Sequence, residues 1–363
     1  MRRAISSSRK ADLPPQQNFP GASSTTHLAL LLSSPGRPPY TGHMASAAEL
    51  LTLARRLPPR LTFDKYKGQA GKTGTLGGCA DYTGAPYYAA AAALYAGVDL
   101  SHVFCAEGAS VPIKCYSPEL IVHGCLSECG AALEPARVEQ LVASTVQWLP
   151  SMTSLVCGPG LGRDAALRQQ ASAVVRAART AGTPLVLDAD GINVLVSEPE
   201  LVRDYPGGLA IVTPNVVEFG RLCDALLPPE SRWREMEARV ATETLAVALG
   251  HVVLVRKGPV DLITDGRSTL LCDEEGAPKR CGGQGDVLAG LASAFLSWSQ
   301  LEPPADAPPP TAGVTPTLLA AWAACLLTRR CALAAFDKRR RAMSGKDLLE
   351  EIPAVMQQFA PVD

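Results

Sequence analysis

The stretch Cys281-Gly282-Gly283-Gln284-Gly285-Asp286-Val287-Leu288 joins three glycines and a carboxylate to the start of an apolar run. Residues without side chains let backbone N–H groups approach an anion, and a helix beginning there points its positive end the same way. Phosphate suits such a turn. The aspartate beside it could take a proton from a hydroxyl attacking phosphorus, which makes Asp286 a candidate general base. The same spelling also suits an ordinary aspartate N-cap after a glycine turn.

Three further stretches carry comparable chemistry. In Val212-Thr213-Pro214-Asn215-Val216-Val217-Glu218 a strand stops at proline and a helix starts at Asn215, with Glu218 one turn along. Asn215 and Glu218 could orient hydrated Mg²⁺, a hard cation that keeps most of its waters. A capping box, with Glu218 reaching back, fits the same spacing. Val255-Arg256-Lys257-Gly258-Pro259-Val260-Asp261 offers a cation and free backbone to a nucleotide phosphate or ribose, or else is a hairpin turn with a solvated lysine. Cys157-Gly158-Pro159-Gly160-Leu161-Gly162-Arg163 gives a dinucleotide room to approach, or is simply a tight connection. It does not spell the dinucleotide-binding Gly-x-Gly-x-x-Gly, and Tyr66 stands where a P-loop ending at Gly71-Lys72-Thr73 needs its first glycine.

All four stretches follow short apolar runs. Strands are expected over residues 73–77, 102–106, 119–123, 154–157, 184–188, 209–213, 251–256 and 260–264. Helices are expected over 85–95, 135–147, 164–181, 217–226, 232–249, 285–299, 316–336 and 345–359. This alternation implies an α/β fold: a doubly wound, mainly parallel central sheet with helices on both faces. Ligands of such sheets sit beyond the carboxyl ends of the strands, where the four stretches fall.

Composition narrows the function class. With 34 Lys plus Arg against 35 Asp plus Glu, the net charge of −1 gives no field to gather nucleic acid or acidic membrane, so small-molecule partners are favoured. Residues 318–336 are interrupted by Arg329 and Arg330, so no run of membrane-spanning character is expected. Eleven scattered cysteines without a Cys-x-x-Cys pair read as reduced thiols used as small buried hydrophobes, although Cys125 and Cys129 could bridge under oxidation. Residues 1–43 carry Arg2, Arg3, Arg9, Lys10 and Arg37 against one acid, Asp12, with many serines and prolines. That composition forms no core: it fits a disordered tail or an organellar transit peptide, with Met44 an alternative start. One domain is expected over 44–363, with the proline-rich 301–315 as an inserted loop. Localisation is then cytoplasmic, or organellar if the leader is a transit peptide. Homo-oligomer formation stays open.

Taken together and in order, these stretches resemble the ADP/ATP-dependent NAD(P)H-hydrate dehydratase family of the ribokinase-like superfamily. The resemblance runs from about Lys67 to Ile352 and includes Lys67-Gly68-Gln69, Tyr82-Thr83-Gly84-Ala85-Pro86, Gly158 to Arg163, Asp188-Ala189-Asp190-Gly191-Ile192-Asn193, Lys257-Gly258 and the Gly282 to Asp286 turn. It implies ATP-dependent dehydration of hydrated NADH or NADPH, with ATP and Mg²⁺ required and the S epimer as substrate. It makes Asp286 the base, deprotonating the ring hydroxyl that attacks the γ-phosphate. It puts the hydrated dinucleotide against Gly160, Gly162, Asn215, Val216, Val217, Glu218, Phe219, Gly220, Arg221 and Asp286. ATP falls to Lys257, Gly258, Pro259, Val260 and Asp261, then to Gly276, Ala277, Pro278, Lys279, Arg280 and Cys281, then to Gly282, Gly283, Gln284 and Gly285. Asp188 and Asp190 would arrange the metal or cap a turn. A small-molecule kinase of the vitamin type, stopping at a stable phosphorylated product, is the alternative.

Overall fold

A computed structural model describes residues 45–301, 311 and 313–362. The expected N-terminal tail and most of the proline-rich loop lie outside the described residues. Eleven α-helices and nine strands occur among those described: α1 (Ala47–Ala54), β1 (Lys72–Leu76), α2 (Gly84–Ala96), β2 (Leu100–Ala106), α3 (Glu107–Tyr116), β3 (Ile121–Leu126), α4 (Pro135–Val146), β4 (Ser154–Cys157), α5 (Ala165–Ala181), β5 (Leu185–Leu187), α6 (Asp190–Ser197), β6 (Ala210–Val212), α7 (Val216–Leu226), α8 (Ala238–Ala248), β7 (Val253–Arg256), β8 (Asp261–Thr264), β9 (Thr269–Cys272), α9 (Gln284–Trp298), α10 (Pro316–Arg339) and α11 (Gly345–Phe359).

The strands form one sheet in the order β3-β2-β1-β4-β5-β6-β7-β8-β9. Pairing is parallel from β3 to β7, and β8 and β9 add antiparallel strands at one edge. Successive side chains of a strand point to opposite faces, so a strand covered on both sides must be apolar throughout. Leu155, Cys157, Leu185, Leu187 and Val212 pack into one core layer, while Val156, Val186, Ile211, Val253 and Val255 pack into the other. The doubly wound, mainly parallel sheet expected from the sequence is present.

The second layer is built from α1, α2, α9, α10 and α11. Helix α2 carries Ala89 to Ala93, all buried, and α9 lies against it. The approach is close: a Cβ on Gly290 of α9 would sit 2.1 Å from the Ala89 carbonyl oxygen. Small residues on both helices thus fix where α9 begins, and with it Asp286.

Several elements depart from the sequence expectation. Helix α3 contains Pro112, and α6 reads Asp-Gly-Ile-Asn-Val-Leu-Val-Ser, so neither has the spelling of a good helix former. Strand β9 (Thr269–Cys272) is a further strand that was not expected. Strand β3 begins at Ile121 rather than 119, and the region from 232 opens with a short 3₁₀ turn, Trp233–Glu235, before α8 begins at Ala238. Residues 316–342 do form a helical stretch long and apolar enough to span a membrane, with mean hydropathy 1.4, but 83% of that window is buried inside the fold. It is packed as a core helix. All eleven cysteines are free, Cys125 and Cys129 included, and seven are buried.

Candidate active site

The sheet order reverses between β1 and β4, with β2 and β3 on one side and the later strands on the other. At such a switch point the carboxyl ends of adjacent strands open a crevice. Strands β4, β5, β6 and β7 are neighbours, so the residues just beyond them, Gly158, Asp188, Thr213 and Lys257, come side by side.

The side chains of Asp188, Thr213 and Lys257 form one buried polar cluster. Lys257 Nζ donates to Asp188 Oδ1 at 2.8 Å, and Thr213 Oγ1 donates to the same oxygen at 2.7 Å. Glu218 Oε2 stands 4.0 Å from Lys257 Nζ. Asp188 and Lys257 are 3% and 22% exposed, so the solvated-lysine reading of this turn does not hold. The lysine swings inward because a buried carboxylate two strands away, at the end of β5, needs a counter-charge. Burial works against the Lys257 charge, but Asp188, Glu218 and Asp286 together raise its pKa.

Asp286 faces this cluster from the opposite layer. The N-cap of α9 is Gly283, at φ 89°, a conformation open to glycine and costly for other residues. Asp286 is therefore the third residue of the helix, one turn inside, and not the cap that its spelling allowed. Its carboxyl is pushed up to about 7, first by burial and then by the charge of Asp188, with Lys257 pulling the other way. Such a carboxylate is poised to accept a proton near neutral pH. Gly285, beside it, leaves the Asp188 and Lys257 head groups room: a Cβ there would lie 3.7 Å from each. The first amides of α9 have no acceptor within the helix.

The turn after β5 carries the sharpest backbone feature. Ala189 adopts φ 49° and ψ −119°, strained for a residue with a side chain, and sends Asp188 and Asp190 in different directions. Asp190 Oδ2 accepts from the Gly162 amide at 2.9 Å, its Oδ1 accepts from Asn193 Nδ2 at 3.3 Å, and Asn193 Oδ1 accepts from Arg221 Nη1 at 3.4 Å. This chain ties α7, α6 and the Gly158 to Gly162 turn together. Gly160 and Gly162 are buried, packed under Tyr82, Pro86 and Cys79. They serve the tight connection and hold Asp190 in place.

Asn215 and Glu218 form the capping box: Asn215 Oδ1 accepts from the Val217 and Glu218 amides, both at 2.9 Å, and Glu218 Oε2 accepts from the Asn215 amide at 2.8 Å. Asn215 is committed to the helix start and does not fit a metal. Glu218 keeps a second oxygen outside the box, and that oxygen is open to a cation. No group of three or more His, Cys, Asp or Glu able to hold a metal occurs among the described residues. A magnesium ion carried on phosphates needs only one or two protein carboxylates, so Glu218 and the free oxygen of Asp188 suit it. Along α7 the helical period divides the expected contacts: Val216 and Val217 are 60% and 63% exposed, whereas Phe219 is buried beneath the Arg256 guanidinium, 4.4 Å from its ring. Phe219 is therefore a core residue. Gly220 packs near Trp233.

The remaining expected ATP residues separate into two groups. Gly282 is exposed, and Gly283 lies under the Tyr88 ring. By contrast Ala277 is packed in a small core with Ala332, Ala335, Met343 and Leu348, and Lys279 Nζ donates to the Arg341 carbonyl. Asp261 has both oxygens taken, by Arg329 Nε and by the Gly258 amide, so its side chain supports the turn rather than touching a ligand. Thr213 and Arg329 were not among the expected residues, whereas Asp188, expected to arrange the metal or cap a turn, stands at the centre of the cluster.

Fold and site define a class: an α/β protein of ribokinase-like fold with a buried carboxyl, Asp286, in the first turn of a helix that starts at a glycine turn. A protein of Enterococcus faecalis described as ribokinase-like shares the fold at TM-score 0.64 and 19% identity, over 88% of this chain and 100% of that one. So does the ADP/ATP-dependent NAD(P)H-hydrate dehydratase of Bacillus subtilis co-crystallised with ATP/Mg²⁺, at TM-score 0.60 and 22% identity over 85% and 97%. A Bos taurus protein named ATP-dependent (S)-NAD(P)H-hydrate dehydratase is 43% identical over 311 residues, 85% of this chain and 89% of its own length. The family model described as NAD(P)H-hydrate dehydratase matches residues 73–354, and the chain belongs to that family.

Proposed function

We propose that the chain uses ATP to dehydrate the S form of hydrated NADH and NADPH, restoring the reduced cofactor and giving ADP and phosphate. The observation that carries this reading is Asp286, a largely buried carboxylate with its pKa pushed up to about 7, facing Asp188 and Lys257 at an anion-binding helix start. Asp286 takes the proton of the ring hydroxyl as its oxygen attacks the γ-phosphorus and the bond to ADP breaks. The amides of Gly282 to Gly285 and the Lys257 cation hold the charge of the transferring phosphoryl group. Phosphate is a far better leaving group than hydroxide. The C–O bond then breaks, the neighbouring ring carbon gives up a proton, and the ring double bond returns.

Glu218 and Asp188 would hold Mg²⁺, which would supply charge neutralisation for the ATP phosphates. Asp188 meanwhile keeps Lys257 in place. The exposed Val216 and Val217 give the dinucleotide an apolar edge, and Arg221 lies beside them. In this reading one domain spans 44–363, and the enzyme works in the cytoplasm or, with residues 1–43 as a transit peptide, in an organelle.

The test incubates the protein with ATP and hydrated NADH and follows dihydronicotinamide absorbance together with ADP and phosphate. One NADH recovered per ADP formed is expected. A stable phosphorylated product with no recovered NADH would make the protein a small-molecule kinase instead.

A further inference from the structure

Arg329 lies on α10, outside the site described above, and is 9% exposed. Every face of its guanidinium is used. Nε donates to Asp261 Oδ2 at 2.7 Å, Nη2 to the Gly258 carbonyl at 2.8 Å, and Nη1 to the Glu274 carbonyl at 3.1 Å. The second oxygen of Asp261 accepts from the Gly258 amide at 3.0 Å, closing a ring around the 257–261 turn. Gly276 packs against the aliphatic stem of the same arginine. The neighbouring Arg330 grips the Glu274 carboxylate at 2.8 Å, and Trp322, seven residues earlier on the same helix, donates to the Leu271 carbonyl at 2.9 Å.

One planar cation therefore joins three segments distant in sequence: helix α10, the turn that presents Lys257, and the loop leading to Gly282. Lysine has one donor centre and could not bridge two carbonyls and a carboxylate. We propose that Arg329 is a positioning residue that sets ATP affinity by locking the 257–261 turn and the 274–276 loop to one another. The proposal rests on the ATP site assigned above. It acts before chemistry: the two loops are held in their nucleotide-ready spacing, so binding does not have to order them.

Calorimetric titration of ATP into the full chain tests this directly, with Arg329→Met, Arg329→Lys and Asp261→Asn compared with wild type. Asparagine at 261 keeps one acceptor oxygen, enough for Gly258 or for Arg329 but not both. Arg329→Met should weaken ATP binding about tenfold or more, the size of a lost charged hydrogen bond. Arg329→Lys should fall between, and both should leave kcat at saturating ATP and the KM for hydrated NADH unchanged. A folded variant with wild-type ATP affinity would overturn the proposal, and so would a matching rise in the hydrate KM. If Arg329→Met does not fold, the affinity of Asp261→Asn decides. A wild type that binds ATP yet repairs no hydrate counts against the function reading alone, because the calorimetric comparison is still made.

Discussion

The pairs Lys257–Asp188 and Arg329–Asp261 have similar lengths, 2.8 and 2.7 Å, and differ in what surrounds them. Around Arg329 each of the three guanidinium nitrogens meets a fixed acceptor, and both Asp261 oxygens are taken. Around Lys257 the lone ammonium meets one oxygen of Asp188, with Glu218 at 4.0 Å and a third carboxyl, Asp286, held partly neutral close by. A pair whose nitrogens and carboxylate oxygens are all engaged by the protein builds the frame. An unsaturated one keeps donors and charge for something that arrives later. Buried polar groups that face one another incompletely are costly, and that cost marks a site rather than a scaffold.

The comparison can be broken at several points. Asp286→Asn should cut hydrate repair about 100-fold or more while ATP still binds, the usual yield of a positioned base; turnover within a few fold of wild type would remove Asp286 from that role. The same change should stabilise the fold. Asp286 binds its proton more tightly folded, at about 7, than its ordinary 3.8, so its contribution to stability is present at low pH and lost as pH rises through about 7. Melting above that pH should show Asp286→Asn more stable than wild type, and equal melting would mean the carboxyl is not strained by burial.

Lys257→Met leaves Asp188 buried without its counter-charge, so unfolding in urea should show a loss of about 3–5 kcal/mol as well as lost turnover. A near-neutral result would place Lys257 with exposed surface pairs. Asn215→Ala removes the cap but no ligand, so it should cost about 1 kcal/mol and little activity. A large loss of turnover with stability unchanged would return Asn215 to the metal. A smaller effect is expected far from the site, where His102, buried and 3.0 Å from His123, has its pKa lowered to about 4 by burial and by its neighbour's charge. A histidine depressed from 6.5 charges less readily folded, so stability is lost as pH falls below 6.5, and His102→Gln should flatten that acid limb in pH-dependent melting.

The four strand-end stretches were legible because glycine and proline mark where a parallel strand must stop, and the apolar runs before them gave the sheet. Within them, sequence could not choose between roles. The Asn215–Glu218 spacing served a capping box and a metal equally well, and only the observed amide contacts decide for the box. Phe219 stood among expected substrate contacts because a list of consecutive residues ignores the helical period. The decisive pairs were hidden for another reason: Lys257 and Asp188 are 69 residues apart, and Arg329 and Asp261 are 68 apart. Nothing local announces such a partner. It appears only when strand order brings β5 beside β6 and β7, and when α10 crosses the loop after β9.

If Asp286 is the base of an ATP-driven dehydration, kcat/KM for hydrated NADH at saturating ATP follows its protonation. The rate should be level above about pH 7 and fall tenfold per pH unit below it, as Asp286 takes up its proton. A rate that stays level well below pH 7, with NADH still recovered, would contradict the assignment.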